Sequence, residues 1–314
     1  MRRAGALALA LALALSGCGD GGTEPGGEAG LPSAGGGGAL TYVLAELPAT
    51  IDPLGAATRG AQLISRQVHE PLVATTSPPY DEAPRGSGLA AAVKPSPDRT
   101  VWKVTLRSGI RFQDGSPFNA GAVLANSRRW SSRPAGRTLL PSLFAVDAPR
   151  PNEVRFQFDR PLADLSARLS SPRLGIVSPE ALNPPAGERA RFVRGAEGTG
   201  TGAFELGASS GSRLELSRYA GWWGSAAGLG PAMDALVFIA APGSDQRLEL
   251  LRSGEAQVAE PLEAAQLAPV AADPLLSSAR IGGIPVGMEA SVRGLTSGAA
   301  IPALSGVWLT RISG

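Results

Sequence analysis

Cysteine and histidine are almost missing from this 314-residue chain: Cys18 and His69 are the only ones. With one cysteine, no disulfide can close within the chain. One cysteine and one histidine cannot build a Cys/His metal site, and most histidine-based catalytic triads are excluded too. Sites made of carboxylates alone stay open. An excess of one charge sign is also lacking, since 29 basic side chains face 27 acidic ones. The longest basic cluster is Arg128-Arg129, too little for the basic face that nucleic acid requires. Beyond the first residues no uninterrupted apolar run reaches the length of a membrane-spanning helix. What is abundant is glycine (41) and proline (27), so turns and loops must be plentiful. Hydrophobic residues at 43% suffice for a packed core, charged residues at 18% are ordinary to low, and the length suits one or two domains.

The amino terminus carries a targeting pattern. Met1-Arg2-Arg3 is a positive start, Ala4 to Leu15 an Ala/Leu run too short to span a bilayer, and Leu15-Ser16-Gly17-Cys18 matches a lipobox. An ordinary secretory signal followed by a chance cysteine is the bland alternative. Against it, the only cysteine stands at the one position where lipid attachment needs it. Residues 1–17 therefore read as a signal peptide and Cys18 as the lipidated residue. Residues 18–38, ending in Gly35-Gly36-Gly37-Gly38, read as a flexible Gly/Pro-rich tether. Loss of Arg2 and Arg3 brings the charge balance to zero. The expected product is exported and lipid-anchored in the cell envelope, on the periplasmic or extracellular face of a bacterial membrane.

Folded structure is expected from Ala39 onward. Leu40–Leu44 is a strand candidate and Gly60–Val68 a helix, closed by Glu70-Pro71. Trp102, Val104 and Leu106 alternate with Lys103, Thr105 and Arg107 as a half-buried strand. Ser108-Gly109 can turn the chain into a second strand through Ile110 and Phe112, which Asp114-Gly115 breaks. Asn119 can cap the next helix. Val154, Phe156 and Phe158 repeat the alternation. Pro161–Leu169 suggests a short helix and Leu174–Val177 a short buried strand. Ala203–Leu206 and Arg213–Ser217 read as paired strands around Ser209-Ser210-Gly211. Leu236–Ile239 is a continuous apolar strand, and Ser244 can cap a helix that Gly254 stops. This mixture indicates an α/β or α+β domain with a mixed sheet flanked by helices.

The string from Val101 to Val123, VWKVTLRSGIRFQDGSPFNAGAV, closely resembles the signature of solute-binding protein family 5. Other segments resemble family elements in family order. They are Ile51-Asp52-Pro53; Val68-His69-Glu70-Pro71-Leu72; Leu89-Ala90 with Pro95-Ser96-Pro97-Asp98; Gly200-Thr201-Gly202-Ala203-Phe204; Leu214–Gly224 with Trp222 and Trp223; and Leu250–Glu255. Departures are Gln113 for a usual His, Gly121-Ala122 for Glu-Asp, and Gln257 for Asp.

The resemblance implies a type II periplasmic-binding-protein-like first lobe. In relatives, a first lobe made from the chain's first half and a returning tail faces a second lobe, with ligand between them. Here little sequence follows Val258, so residues 39–314 are expected to form one lobe-I-like domain lacking the second lobe. Residues 284–314 would be the return segment, with Gly306–Leu309 as its last strand. A chance likeness of that short tail is the competing account.

The implied function is that of a substrate-binding lipoprotein of an ABC importer. It would take peptides or chelate-like solutes, bind them weakly without a second lobe, and dock on permease subunits. The alternative from the same residues is an envelope adaptor that exposes an apolar face to another protein. No catalytic residue, metal ligand or cofactor is implied. Candidate ligand contacts are Thr50, Asp52, Pro172, Arg173 and Trp222. For Arg173, a ligand carboxylate or chelate partner and a solvated surface arginine are both open. Asp52 suits loop capping as well as ligand contact, and Trp222 with Trp223 suits core packing as well as a cleft wall. His69-Glu70, beside Pro71, marks a turn, not acid–base chemistry.

Overall fold

The structure, a computed structural model, describes residues 37–74, 88–183, 199–227, 231, 233–280 and 289–293. In chain order its regular elements are β1 (Ala39–Leu44), α1 (Arg59–Val68), β2 (Ala90–Pro95), β3 (Val101–Leu106), α2 (Ala120–Ser132), α3 (Pro134–Leu139), β4 (Leu143–Arg150), β5 (Glu153–Phe158), α4 (Leu165–Arg168), α5 (Pro179–Leu182), β6 (Phe204–Ser209), β7 (Arg213–Arg218), β8 (Ala235–Ala240), α6 (Ser244–Ser253), β9 (Val258–Leu262), α7 (Ala264–Ala271), β10 (Leu276–Arg280) and β11 (Glu289–Arg293). The signal peptide, Cys18, all but the end of the tether, and Gly306–Leu309 lie outside the described residues.

Two sheets organise these elements. A seven-stranded mixed sheet runs β10-β11-β9-β1-β8-β7-β6, and a four-stranded antiparallel sheet runs β2-β3-β5-β4. In the first, β1 lies between β8 and β9 and is parallel to both. Tyr42, Val43 and Leu44 are buried in succession because one face packs under α1 and the other under α6 and α7. Leu236, Val237 and Phe238 of β8 are buried in the same way, as an uninterrupted apolar strand requires. β11, within the tail expected to return, pairs antiparallel with β9 and β10.

The four-stranded sheet is dry on one face only. Trp102, Val104, Leu106, Val154, Phe156 and Phe158 join Trp130 and Phe112 in one core beneath α2. The opposite face carries Lys103, Arg155 and Asp147, paired across strands, with Arg155 Nε 2.8 Å from Asp147 Oδ1.

Local signals act where their chemistry predicts. Thr58 caps α1 by accepting the Ala61 N–H, and Asn119 caps α2 by accepting that of Ala122, both at 3.2 Å. Gly254 ends α6 in the left-handed region at φ 84°.

Four expectations need correction. Ile110–Phe112 does not form a hairpin strand with β3, because β2 and β5 already occupy both edges of β3. It curls instead into the Asp114-Gly115 turn, with a single bridge from Arg111 to Pro117. Leu174–Val177 is not a strand either. A 3-10 turn at Pro172–Leu174 leads into extended chain, bonded to the Asn126 carboxamide and the Glu70 carbonyl instead of a neighbouring strand. The helix expected over Pro161–Leu169 forms only at Leu165–Arg168. Ser244 is the first helical residue of α6, not its cap; its hydroxyl bonds the Gln266 side chain and the Glu263 N–H.

Candidate functional site

The parallel strands β8, β1 and β9 all point their carboxyl ends to one edge of the larger sheet. In open α/β sheets, ligands gather beyond that edge. α1, α6 and α7 each begin there, following β1, β8 and β9. The edge is polar and tightly tied. Arg247, 2% exposed, donates to the carbonyls of Ala241, Pro242 and Pro261, joining the ends of β8 and β9. Glu260, also 2% exposed, is held by Arg59 Nε at 3.2 and 3.1 Å to its two oxygens. Beside that pair the Tyr42 hydroxyl is fully buried and has no hydrogen-bond partner. Burial first, and the Glu260 carboxylate second, push its pKa well above the usual tyrosine value.

The loop after β1 forms a second polar knot against the 3-10 turn at Pro172–Leu174. Thr50 Oγ1 accepts the Asp52 N–H at 3.0 Å, a local turn bond. The Asp52 carboxylate forms an ion pair with Arg129 of α2. Arg173 donates to the Leu54 carbonyl at 3.2 Å, and Pro172 opens the turn that holds it. Asp52 Oδ1 and Arg173 Nε remain buried without partners. His69 lies alongside, with Nε2 2.8 Å from the Thr199 hydroxyl; burial drives its pKa down to about 4.

A third constellation centres on Glu70. Its carboxylate accepts the indole N–H of Trp223 at 2.8 Å and of Trp222 at 3.3 Å. Arg107 stacks its guanidinium over the Trp223 ring at 5.5 Å while donating to the Gly88 carbonyl, so the knot reaches the smaller sheet. Burial pushes the Glu70 pKa up to about 7, outweighing the hydrogen bonds from Trp223 and Trp222, the nearby Thr201 hydroxyl and the charge of Arg66, all of which act to lower it.

The structure therefore brings Thr50, Asp52, Pro172 and Arg173 together and places Trp222 apart, on Glu70. Each of these side chains except Pro172 is engaged in internal bonding. Arg59, Glu260 and Tyr42 were not singled out by sequence, because a lone arginine at a helix start and a glutamate in an apolar strand carry no spacing signal. Among the described residues no cluster of three or more His, Cys, Asp or Glu side chains could hold a metal ion.

The substituted family positions have structural roles here. Gln113 donates to the carbonyls of Gly202 and Phe204 at 3.2 and 2.8 Å, bonding the Asp114 turn to the larger sheet. Gln257 accepts the Thr41 N–H at 2.8 Å. Gly200 and Gly202 lie so close to α1 that an added Cβ would meet the Val68 carbonyl at 1.8 Å and the Gln67 carbonyl at 2.2 Å.

Comparison with known proteins places the molecule in its class. Residues 86–293 match the family of bacterial extracellular solute-binding proteins, family 5 Middle, and the chain belongs to that family. Over 224 residues it is 30% identical to the glutathione-binding protein GsiB of Escherichia coli O1:K1 / APEC; the match covers 70% of this chain and 41% of the relative's length. The periplasmic binding protein DppA of Helicobacter pylori, solved with the peptide STSA, shares its fold at a TM-score of 0.66 and 19% identity, over 78% of this chain and 51% of that one. NikA of Brucella suis, solved with Fe(III)-EDTA, does so at 0.64 and 21% identity, over 77% and 48%. The fold is thus that of type II periplasmic binding proteins, as the family resemblance implied, and these relatives are binding proteins, not enzymes.

Proposed function

We propose that this chain acts as an extracytoplasmic solute receptor for an ABC importer, taking peptide-like or chelate-like solutes and docking on permease subunits. The observation that carries the reading is the family match over residues 86–293, with the carboxyl edge of β1, β8 and β9 as the ligand-facing rim. Relatives solved with a peptide and with a metal chelate support that solute class. The described region supplies one wall, whereas specific capture wants an enclosed site, so this chain on its own binds weakly. Residues 1–17 act as signal peptide and Cys18 carries the lipid that holds the receptor at the membrane, with residues 18–38 as tether. The internal bonds of Thr50 and Asp52 support a role in shaping the loop after β1, with Pro172 opening the facing turn, and those of Trp222 a role at the Glu70 knot; Arg173 is the candidate to meet solute. The adaptor reading asks for one exposed apolar patch; the exposed large hydrophobics among the described residues are Phe144, on β4 of the smaller sheet, and Leu275, in the turn before β10 of the larger one.

A thermal-shift titration with short peptides, glutathione and nickel–histidine tests the solute reading. Saturable stabilisation at micromolar to millimolar ligand is expected, and no shift with any of them would sink it. Labelled-palmitate incorporation that survives Cys18→Ser would sink the lipid anchor.

A further inference from the structure

From Gly115 to Val146 the chain holds four arginines, Arg128, Arg129, Arg133 and Arg137, and no lysine, aspartate or glutamate. Arg129 turns to the Asp52 carboxylate. Arg128, near the end of α2, and Arg133, just past it, are exposed, and their side chains have no ion pair or hydrogen bond among the described residues. Folding fixes three further guanidinium groups along the stretch that follows. Arg137 donates to the Ser131 carbonyl at 3.1 Å, Arg168 of α4 to the Leu139 carbonyl at 3.0 Å, and Arg160 to the Ser142 hydroxyl at 3.2 Å. The carboxylates brought to this stretch are Asp164, paired with Arg168 at 2.8 Å, and Asp159, whose N–H bonds the Ser142 carbonyl. Five arginines against two aspartates leave an excess of positive charge beside residues 128–142. Bonding to backbone carbonyls accounts for Arg137 and Arg168, but not for Arg128 and Arg133. Phe144 borders the same stretch. It falls in the register irregularity between Leu143 and Ala145 on the edge strand β4 and is 63% exposed, while Leu143 and Val146 pack against the core. A surface phenylalanine alone is ordinary. Beside a basic face it completes the composition of a membrane-contacting surface, with arginines for headgroup phosphates and an aromatic ring for the acyl boundary.

We propose that the face carrying Arg128, Arg133, Arg137, Arg160 and Phe144 docks on an anionic phospholipid surface. Charge complementarity selects the occupant, since each exposed guanidinium near such a surface is attracted to its phosphates. An acidic protein would satisfy the arginines equally well. Phe144 favours lipid, because an apolar ring set among headgroups finds hydrocarbon directly beneath them. The inference uses only the described surface and depends neither on solute capture nor on a lipid at Cys18. A lipid there adds to it by raising the local concentration of this face at the membrane.

The test is co-sedimentation of the full chain, carrying Cys18→Ser so that no lipid is attached, with vesicles of phosphatidylcholine alone or with a third of phosphatidylglycerol. Residues 1–17 are common to every protein compared, so differences between variants report the described surface. Arg128→Gln with Arg133→Gln should lower partitioning onto the anionic vesicles about thirtyfold, at roughly a fivefold loss per arginine. The Lys pair at the same positions should keep most of the binding, because the charge is what is read. Phe144→Ser should lower binding to the anionic vesicles about fivefold. The control removes the same charge elsewhere: Arg213→Gln with Arg252→Gln, exposed on β7 and α6, should stay within about twofold of the parent. No preference of the parent for anionic vesicles overturns the proposal. So does a loss in the control as large as in the Arg128/Arg133 pair, or an Arg128/Arg133 pair that binds like the parent.

Discussion

In the four-stranded sheet, Trp102, Val104 and Leu106 point into a core while Lys103 and Thr105 face water or half-face it. In the seven-stranded sheet, the middles of β1 and β8 are dry on both faces, and the charged side chains Arg59, Glu260 and Arg247 gather where β1, β8 and β9 end. The contrast separates scaffold from rim. The family signature from Val101 to Val123 contributes to the smaller sheet, its turn and α2, and within it the Gln113 side chain bonds to the carbonyls of Gly202 and Phe204, at the start of β6 in the larger sheet. The candidate ligand edge belongs to strands whose sequences look merely apolar.

The largest test of this contrast is core loss in the smaller sheet. Phe156→Ala, at a fully buried position, should cost about 4 kcal/mol of unfolding free energy in urea titration. A loss under 1 kcal/mol would mean that the smaller sheet is not a cooperative part of the fold. At the rim the expected pattern differs. Arg59→Met should cost about 3 kcal/mol by stranding the Glu260 carboxylate, and adding Glu260→Met should restore most of it. If the double variant is as unstable as the single, the pair is not coupled.

The junction between the sheets should be less costly but specific. Gly200→Ala forces the Val68 carbonyl aside and should cost about 2 kcal/mol, read as a lowered melting temperature. Asn119→Ala removes the α2 cap and should cost about 1 kcal/mol.

The smallest expected effect is a cancellation at the Glu70 knot. Glu70 titrates near 7 folded against 4.5 ordinarily, so its contribution is full below 4.5 and lost as pH rises through 7. His69 titrates near 4 folded against 6.5, so its contribution grows as pH rises from about 4 to 6.5. In wild type the two slopes oppose each other between pH 4.5 and 6.5. Glu70→Gln should unmask stability that rises with pH there, and His69→Gln stability that falls. Parallel urea midpoints for all three proteins across that window would refute the opposition.

The half-buried strands, the Asn119 cap, the Gly254 stop and the family itself were legible in the sequence, because alternation, capping and turn chemistry act within a few residues. β2 and β4 were not: Ala90–Pro95 lacks alternation, and Leu143–Arg150 is largely half-exposed, with irregular register. Among the candidate site residues, sequence marked Asp52 and Arg173 but not their partners. Arg129 and Leu54 lie 77 and 119 positions away from them.

By itself, then, the sequence determined which segments are apolar, where α2 begins and α6 ends, and which family the chain belongs to. Tertiary structure alone decided which edges pair, that Ile110–Phe112 and Leu174–Val177 are not strands, and that Arg59 meets Glu260 and Tyr42 at one rim. The physical reason is range. Backbone propensity and capping are local, whereas strand pairing and the pairing of a buried charge depend on groups that only folding brings within reach.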